Sequence, residues 1–364
     1  MLRLQSITLV QFRNYLTQSF SFSERIIGIC GKNGSGKTNL LDAVYYLSFS
    51  RSYFSRPDNQ NVYHGQSGMR IEGHYQLNNT PQEIICVVRE NSRKELILND
   101  EMYKKFSDHI GKFPCVMIAP DDLVLITGGS EERRKFIDTI LSQIDNGYLL
   151  NLIDYNRILQ QRNSLLKQSA ETGNTDIALF QVLGSQLSQK GITIFQERKS
   201  FLHGFLPKVA ALYQKIASTD DGLSLRYESQ LLTDGFEELL KASSQKDFLL
   251  QRTTTGIHRD DLSFNMASTT FKSEASQGQR KSLLFALKLA EWQVLKERKG
   301  FTPILLLDDV FEKLDEPRMY KLLHWVCTES DGHVFISDTH TERLKAQLDG
   351  IEVGYQLIEL ERKS

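Results

Sequence analysis

The segment GKNGSGKT, residues 31–38, combines a glycine-rich loop with a lysine and a threonine. It matches the pattern G-x-x-x-x-G-K-[ST] in full, with an apolar run before it and a helical pattern after it. Gly31, Gly34 and Gly36 allow the backbone to wrap closely, so that its N–H groups and the helix N-terminus bind phosphate oxygens. The segment therefore predicts a nucleotide-binding site. A glycine-rich turn without a ligand is the less favoured alternative.

Individual residues of this loop have predicted roles in holding ATP and Mg²⁺. Lys37 is expected to reach the β- and γ-phosphates, and Thr38 to offer its hydroxyl to Mg²⁺, which takes few protein ligands and completes its shell with water. Asn33 is a candidate for positioning water or the γ-phosphate. The predicted ATP-binding residues of the loop are Gly31, Lys32, Asn33, Gly34, Ser35, Gly36, Lys37 and Thr38.

A second set of reactive groups follows an apolar strand late in the chain. In ILLLDDV, residues 304–310, four apolar residues precede Asp308 and Asp309. Because side chains alternate along a strand, the two carboxylates are predicted to point to opposite sides. Asp308 is predicted to bind Mg²⁺ through a coordinated water, and Asp309 to act with Lys37 in catalysis by polarising the hydrolytic water. Taken alone, the pair could be solvated acids at a strand end.

A third feature is the loop SQGQ, residues 276–279, here called the signature loop, which opens an apolar helix. Because Ser is a good N-cap, an ordinary capped helix is one reading of it. A P-loop, a late S-x-G-Q loop and an apolar strand ending in D-D, in this order, resemble the ABC-type ATPases. There the second loop binds the γ-phosphate held by the other subunit. Ser276, Gly278 and Gln279 are thus predicted to act in trans across a two-fold axis.

The resemblance narrows to the RecF family within the SMC/RecF class. It rests on the P-loop and the D-D strand together with LVQFRNY, RRKFIDTILSQ, YNRILQQRNSLLK, TTTGIHRDDLSF and SQGQRKSLLFALKLAE. These segments spread from about residue 2 to residue 340. The helical insertion is far shorter than the coiled-coil arms of SMC proteins, and this favours the RecF family.

The resemblance implies further site residues. Arg13 lies in an element that approaches the nucleotide in this class and is implied as a phosphate contact, although an arginine at a strand end is more often in a surface ion pair. Asp315, Asp338 and His340 match the D-loop and the switch after the last strand, and Asp315 could equally cap the following helix. Asp121 matches the position of a glutamine-bearing loop, but the glutamine is absent here.

The elements that must position these groups are predicted to form an α/β fold: an ABC-type P-loop ATPase head with a mixed β-sheet lobe and an inserted, mostly helical lobe. Residues 1–118 and 303–364 are assigned to the ATPase lobe. Residues 119–302 are assigned to the second lobe, which contains the helical insertion and the signature loop. The stretch HRD, residues 258–260, is expected to form a polar network between the lobes.

Periodicity supports this plan. Residues 69–77 alternate apolar and polar residues as a half-buried strand does, and Asn99-Asp100 marks a hairpin turn. From residue 130 the pattern becomes helical. Cys30, Cys86, Cys115 and Cys327 form no C-x-x-C pair and lie in or beside apolar stretches, so they are predicted to be core thiols in a reducing compartment rather than zinc ligands or disulfides.

The chain has 44 Lys+Arg and 45 Asp+Glu, a net charge of −1. Any DNA contact must therefore come from a local basic patch. ERRKF, QERKS and KERKG are candidates, although each could be a solvated helix face. The first residues lack the apolar core of a signal peptide, and no apolar run approaches the roughly 20 residues of a membrane helix, so a cytoplasmic protein without a membrane partner is expected.

The resemblance implies a weak, DNA-stimulated ATPase of recombinational repair, replication restart and the SOS response to DNA damage. Its cofactors would be ATP and Mg²⁺. Its partners would be duplex and gapped DNA, mediator proteins of the RecR and RecO type, and a second copy in an ATP-dependent homodimer that assists recombinase loading. Two alternatives remain open. One is the nucleotide-binding subunit of a transporter, which is disfavoured by the helical lobe and by Asp309 in place of the usual glutamate. The other is a scaffold that is regulated by ATP binding alone.

Overall fold

The computed structural model describes residues 1–54, 57–217, 222–266, 269–309, 316–328 and 330–361, with only the backbone described for residues 316–318. The chain divides into two compact units. Unit 1 comprises Met1–Asp122, Leu212–Ser218 and Lys281–Ser364, and unit 2 comprises Leu123–Ala211 and Thr219–Arg280. The lobe boundaries at 118/119 and 302/303 stay a prediction.

Strands and helices are numbered in chain order within the described residues. The strands are β1 Leu2–Phe12, β2 Tyr15–Ser21, β3 Ile26–Cys30, β4 Met69–Leu77, β5 Thr80–Val88, β6 Lys94–Leu98, β7 Glu101–Met102, β8 Cys115–Ile118, β9 Leu223–Glu228, β10 Asp261–Met266, β11 Thr269–Thr270, β12 Ile304–Leu307, β13 Val334–Asp338 and β14 Tyr355–Glu359. The helices are α1 Lys37–Phe49, α2 Val124–Thr127, α3 Ser130–Ile144, α4 Asn146–Thr172, α5 Ile177–Ala217, α6 Phe236–Ala242, α7 Ser244–Leu250, α8 Phe271–Glu274, α9 Gln277–Lys299, α10 Glu316–Thr328 and α11 Thr341–Asp349.

One sheet of unit 1 is parallel, with the strand order β14-β3-β13-β12-β8. The residues of β3, β12 and β13 are all buried, which explains why their sequences are nearly continuous apolar runs. In open parallel sheets ligands bind outside the carboxyl ends of the strands. Here that edge carries the P-loop after β3 and Asp308 after β12.

The other sheet of unit 1 is antiparallel, with the strand order β2-β1-β4-β5-β6-β7. β4 spans the predicted residues and alternates as expected, since Met69, Ile71 and Tyr75 are buried. The β6–β7 hairpin turns at Asn99 and Asp100, both with positive φ, as a tight hairpin turn requires. The predicted strand and the predicted turn are both confirmed.

Helix α1 contacts β4 of the antiparallel sheet as well as β8 and β13 of the parallel sheet. Its residues Leu40, Leu41, Val44 and Leu47 are fully buried. A helix covered on several sides is apolar all round rather than amphipathic. This packing fixes the position of α1, whose first turn contains the last residues of the P-loop.

Unit 2 contains most of the helices and the small antiparallel sheet β11-β10-β9. Helices α3, α4 and most of α5 account for the helical periodicity that begins at residue 130. The predicted α/β architecture, with parallel and antiparallel sheets in one unit and a mostly helical inserted unit, is confirmed.

The four cysteines are free and buried, which confirms their prediction as core thiols. In the part of the chain that the structure describes, no helix combines the length and the apolar character needed to cross a membrane.

Candidate nucleotide-binding site

The loop between β3 and α1 has a backbone that favours glycine. Gly31, Gly34 and Gly36 have φ values of 154°, 84° and 109°. A Cβ on Gly36 would also lie 2.6 Å from both Asn14 Nδ2 and Tyr15 Oη. Conformation and space therefore both require glycine at position 36. Helix α1 begins at the next residue, so the unpaired N–H groups of its first turn lie at the end of the loop.

Lys37 and Ser35 place polar groups inside this loop. Lys37 is only 4% exposed, and its Nζ donates a hydrogen bond of 2.8 Å to the carbonyl oxygen of Gly31. The hydroxyl of Ser35 is buried and has no hydrogen-bond partner among the described residues. A buried cation and a buried hydroxyl beside a helix N-terminus suit a bound anion, because within the described part of the chain the ammonium forms no ion pair and the hydroxyl lacks a hydrogen-bond partner.

Thr38 and Asp308 meet at the carboxyl edge of the parallel sheet. The Thr38 hydroxyl lies 3.1 Å from Oδ1 and 3.0 Å from Oδ2 of Asp308. Ser337, on β13, donates to Asp308 Oδ1 at 2.7 Å and accepts a hydrogen bond of 2.9 Å from the backbone N–H of Asp309. Sequence reasoning missed Ser337. The sequence signal that would have identified it is a small hydroxyl residue inside the apolar strand VFISD.

The environment of Asp308 suits a cation. Asp308 is 2% exposed, and burial raises its pKa to about 6. The hydrogen bond from Ser337 opposes this rise, while the charge of Asp309 adds to it. A nearby cation favours the ionised form of such a carboxyl group. Hydroxyl and carboxylate oxygens are the ligands that Mg²⁺ takes, so Thr38 and Asp308 fit this ion.

Asp309 is oriented by a turn rather than by strand alternation. Strand β12 ends at Leu307, one residue before the pair of aspartates, and Asp309 has a φ of 44°. The alternation argument therefore does not apply to this pair. Asp309 is half-buried beside Asp308. Its role in polarising water stays a prediction.

The segment FRNY, residues 12–15, lies against the P-loop. Asn14 Nδ2 donates to the carbonyl oxygen of Ser35 at 3.3 Å, and Tyr15 Oη donates to that of Gly36 at 3.1 Å. The side-chain oxygen of Asn14 accepts a 2.7 Å hydrogen bond from Asn39 on α1. This segment therefore holds the last two loop residues and the first turn of the helix together.

Arg13, the predicted phosphate contact, is engaged with protein groups in this structure. Its side chain is 6% exposed, and its guanidinium forms an ion pair of 2.5 Å with the fully buried Asp42. Its side chain also donates hydrogen bonds to Asn39, Ser52 and Asn61. The ion pair is thus buried rather than on the surface. The phosphate contact stays a prediction.

The signature loop forms a reciprocal N-terminal cap. The backbone N–H of Ser276 donates to Gln279 Oε1 at 2.8 Å, and the backbone N–H of Gln279 donates to Ser276 Oγ at 3.2 Å. This is the capping-box arrangement. Ser276 is exposed, and Gly278 and Gln279 are partly exposed. The cap is one function of Ser276, and the trans-acting role of the loop stays a prediction.

The switch candidates follow β13. Asp338 pairs in register with Cys30, the residue directly before the P-loop. Its buried carboxylate accepts hydrogen bonds from Arg343 and from the backbone N–H of His340. His340 is exposed. The roles of Asp338 and His340 stay predictions, and Asp315, the D-loop candidate, lies outside the described residues.

A buried cluster near the end of β8 was not anticipated. Asp121 is exposed, whereas Asp122 accepts hydrogen bonds from Tyr53 and from the backbone N–H of Ala119. The Nζ of Lys288, on α9, lies 3.1 Å from the hydroxyl of Tyr53. Glu291 lies one turn further along α9, 3.8 Å from Lys288 Nζ, and burial raises its pKa to about 7. In this loop of unit 1, Asp122 rather than Asp121 is therefore the acid that belongs to the buried cluster.

The predicted polar network around residues 258–260 lies inside unit 2, not between lobes. Arg198 is fully buried and pairs with Asp138 at 2.8 Å and with Asp260 at 3.0 Å. His258 Nδ1 lies 2.7 Å from the hydroxyl of Tyr155. Two basic clusters considered for DNA thus contribute to internal ion pairs, since Arg198 belongs to QERKS and the pair Arg133–Asp261 uses ERRKF.

Known proteins resemble this chain along almost its whole length. A family model described as RecF/RecN/SMC N terminal domain matches residues 3–356. The DNA replication and repair protein RecF of Flavobacterium johnsoniae is 41% identical over 359 residues, covering 99% of this chain and 100% of that protein. Its counterpart in Parabacteroides distasonis is 39% identical over 359 residues, covering 99% and 97%.

Among solved structures, the recombination mediator protein RecF with ATPrS, in the RecFOR pathway, aligns with a TM-score of 0.87 at 27% identity over 98% of this chain and 96% of that chain. An Smc head domain from Pyrococcus furiosus aligns with a TM-score of 0.55 at 16% identity over 95% and 92%, a likeness of fold alone. The family model and the curated relatives span nearly the whole chain. This chain therefore belongs to the RecF/RecN/SMC family of ABC-type ATPases and, within it, to the RecF proteins.

Proposed function

We propose that this chain is an ATP-dependent DNA-binding protein of recombinational repair and replication restart. The observation that carries the proposal is the convergence of a complete P-loop with the Thr38–Asp308 pair, whose oxygens lie 3.0–3.1 Å apart. Curated relatives are named DNA replication and repair protein RecF, and one solved relative is named as RecF-ATP. ATP with Mg²⁺ is the proposed cofactor pair.

In the proposed reaction, the loop N–H groups and Lys37 hold the phosphate chain. Mg²⁺, held by Thr38 and Asp308, would neutralise charge on the β- and γ-phosphates. Asp309 polarises a water and accepts its proton as the water oxygen bonds to the γ-phosphorus. The bond from that phosphorus to the β,γ-bridging oxygen breaks, which releases ADP and phosphate. Because aspartate is one methylene shorter than glutamate, slow turnover is expected.

The signature loop is proposed to complete the site of a second copy. Ser276 Oγ accepts the capping hydrogen bond, which leaves its O–H proton available as a donor. With the N–H groups at the start of α9, it offers donors to a γ-phosphate held by the partner's P-loop. Because ATP then binds the closed dimer better than the monomer, ATP favours dimerisation, and hydrolysis opens the dimer.

A matched pair of variants tests whether Ser276 only caps the helix or also contacts the γ-phosphate held by the partner. Asp and Asn both cap helices as well as Ser does, but only Asp places a negative charge against the partner's γ-phosphate. Light-scattering mass is measured with and without ATP and Mg²⁺. Wild type and Ser276→Asn are expected to dimerise with ATP, and Ser276→Asp is expected to bind ATP yet remain monomeric. If Ser276→Asp dimerises as wild type does, Ser276 is only a helix cap.

DNA is the second proposed partner, with mediators of the RecR and RecO type beside it. Anisotropy of a labelled gapped duplex is expected to rise only with ATP, and the affinity is expected to fall steeply with salt. Phosphate release with and without DNA then distinguishes an ATPase from a scaffold. Release stimulated by DNA supports the ATPase, and ATP-dependent DNA binding without any release supports the scaffold. A DNA affinity that is the same with and without ATP contradicts the proposed ATP-dependent switch.

A further inference from the structure

Arg133, on α3, joins two other elements of unit 2. Its Nε and Nη2 donate to Asp261 Oδ1 and Oδ2 at 2.6 and 3.0 Å, a bidentate ion pair at the first residue of β10. Its guanidinium also lies 5.8 Å from the ring centroid of Phe264 on the same strand. Its Nη1 donates at 3.1 Å to the carbonyl oxygen of Gly128, just after α2. One side chain thus ties β10 to the end of α2.

Helix α8 packs on both of these elements. Contacts join α8 to β10 and α8 to α2, and Phe271, the first residue of α8, is fully buried. Strand β11, which precedes α8 directly, pairs with β10 through Asn265 and Thr270. The two surfaces that support α8 are therefore the two that Arg133 holds together.

Helix α8 in turn precedes the signature loop. It ends at Glu274, and only Ala275, which is buried, separates it from Ser276. On the far side of the loop, Arg280 Nη2 donates at 2.9 Å to the carbonyl oxygen of Lys272 in α8. The signature loop is thus bracketed by α8 on one side and by a contact back to α8 on the other.

We propose that Arg133 and Asp261 are positioning residues for the signature loop. They hold α8 in place and thereby orient the loop to bind a phosphate held by a second copy. This inference rests on the proposed trans-acting function of that loop. A bidentate pair between a guanidinium and a carboxylate suits the task, because its fork geometry fixes direction as well as distance. Lysine supplies the charge without the fork.

The experiment has one arm that does not depend on dimerisation. Hydrogen exchange of the ATP-free protein is compared for wild type, Arg133→Ala, Asp261→Asn and Lys135→Ala. Lys135 is the matched control, since it lies on the same helix and its ion pairs with Glu131 and Glu132 are exposed. Exchange in residues 271–280 is expected to rise about tenfold in the first two variants, the effect of roughly 1.4 kcal/mol, and to stay unchanged in Lys135→Ala.

The second arm measures dimerisation. Arg133→Ala and Asp261→Asn are expected to bind ATP as monomers with wild-type affinity while their ATP-driven dimer dissociates about tenfold more readily, with partial rescue in Arg133→Lys. If a variant were generally unfolded, hydrogen exchange would also rise in the P-loop peptide, which serves as the control for global stability. If Arg133→Ala does not fold, Asp261→Asn still tests the ion pair, because it keeps the shape of the side chain.

The two proposals fail in different ways. Wild-type exchange at residues 271–280 in folded Arg133→Ala and Asp261→Asn overturns the positioning role, whatever the dimer does. A wild-type protein that stays monomeric with saturating ATP overturns the trans-acting function, and the exchange arm then still decides whether Arg133 orders the loop.

Discussion

The hydroxyl of Thr38 and the carboxylate of Asp308 lie 3.0–3.1 Å apart although 270 residues separate them in the chain. They follow strands β3 and β12, which are not neighbours, because β13 lies between them. Ser337 on β13 bridges the gap by donating to Asp308. The contact between the two residues proposed to hold Mg²⁺ thus depends on the order of three parallel strands, and the first and last parts of the chain are both needed to form it.

Lys37→Ala is expected to weaken ATP binding by ten- to a hundredfold. Hydrogen bonds that involve a charged group contribute about 1.5–3 kcal/mol, and the buried ammonium has no substitute in alanine. Titration with a fluorescent ATP analogue measures the loss. Lys104→Ala, at an exposed position, is the control and is expected to bind as wild type does. Equal affinity of the two variants would show that Lys37 holds only the loop carbonyl.

Asp308→Asn is expected to stabilise the ATP-free protein above pH 7. The ordinary pKa of this carboxyl, 3.8, rises to about 6 on folding, so the folded protein holds the proton more tightly than the unfolded chain. The free energy of unfolding of wild type therefore falls as pH rises from 4 to 6 and stays low above pH 6. The gap between variant and wild type reaches at most about 3 kcal/mol above pH 7 and closes toward pH 4.

Urea denaturation at several pH values, without nucleotide, measures that gap. Asp100→Asn, in the exposed hairpin turn, is the control and is expected to follow wild type throughout. A gap that does not change between pH 4 and pH 7 contradicts the buried carboxylate as its source. The same Asp308→Asn protein is expected to lose Mg²⁺-dependent hydrolysis, because a neutral amide is a poor ligand for Mg²⁺.

Arg198→Met is expected to lower the free energy of unfolding by about 3–5 kcal/mol, because it leaves the carboxylates of Asp138 and Asp260 without their buried cation. Arg198→Lys keeps the charge but not the planar fork, and an intermediate loss is expected. Chemical denaturation measures both. Lys199→Met changes the neighbouring exposed residue and is expected to cost little. A similar loss in Lys199→Met would mean that the helix, rather than the ion pairs, is sensitive.

The cysteines of the native protein are expected to resist thiol reagents at pH 8. Burial raises the pKa of the Cys86 and Cys327 thiols to about 12 and holds the pKa of Cys30 and Cys115 above the ordinary range. Because the thiolate is the reactive form, labelling should be slow until the chain unfolds. Reaction with a chromogenic disulfide, with and without denaturant, counts the reactive thiols. A Ser200→Cys variant, at an exposed position, should react at once, and rapid labelling of native wild type contradicts the expectation.

Local features of the site were predictable because they depend on neighbouring residues. The P-loop is one continuous segment, and the positive φ of Gly31, Gly34 and Gly36 follows from residue type. The apolar runs of β3 and β12 and the alternation of β4 likewise reflect which face of a strand is buried. These patterns are enough to predict the order of strand, loop and helix around residues 26–49.

The remaining features depend on contacts between distant parts of the chain, which residue spacing does not encode. Ser337 became part of the site only because β13 lies between β3 and β12. Arg133, which in sequence belongs to a basic cluster, turned out to pair with Asp261 at a separation of 128 residues.

The sequence alone thus predicted a nucleotide-binding site, because the residues proposed for it lie in one short loop and at the ends of two apolar strands. Only the tertiary structure decided which charged residues are buried in ion pairs and which stay exposed. The reason is that the packing of distant elements, not local sequence, removes a side chain from water and supplies the partner that compensates for its desolvation.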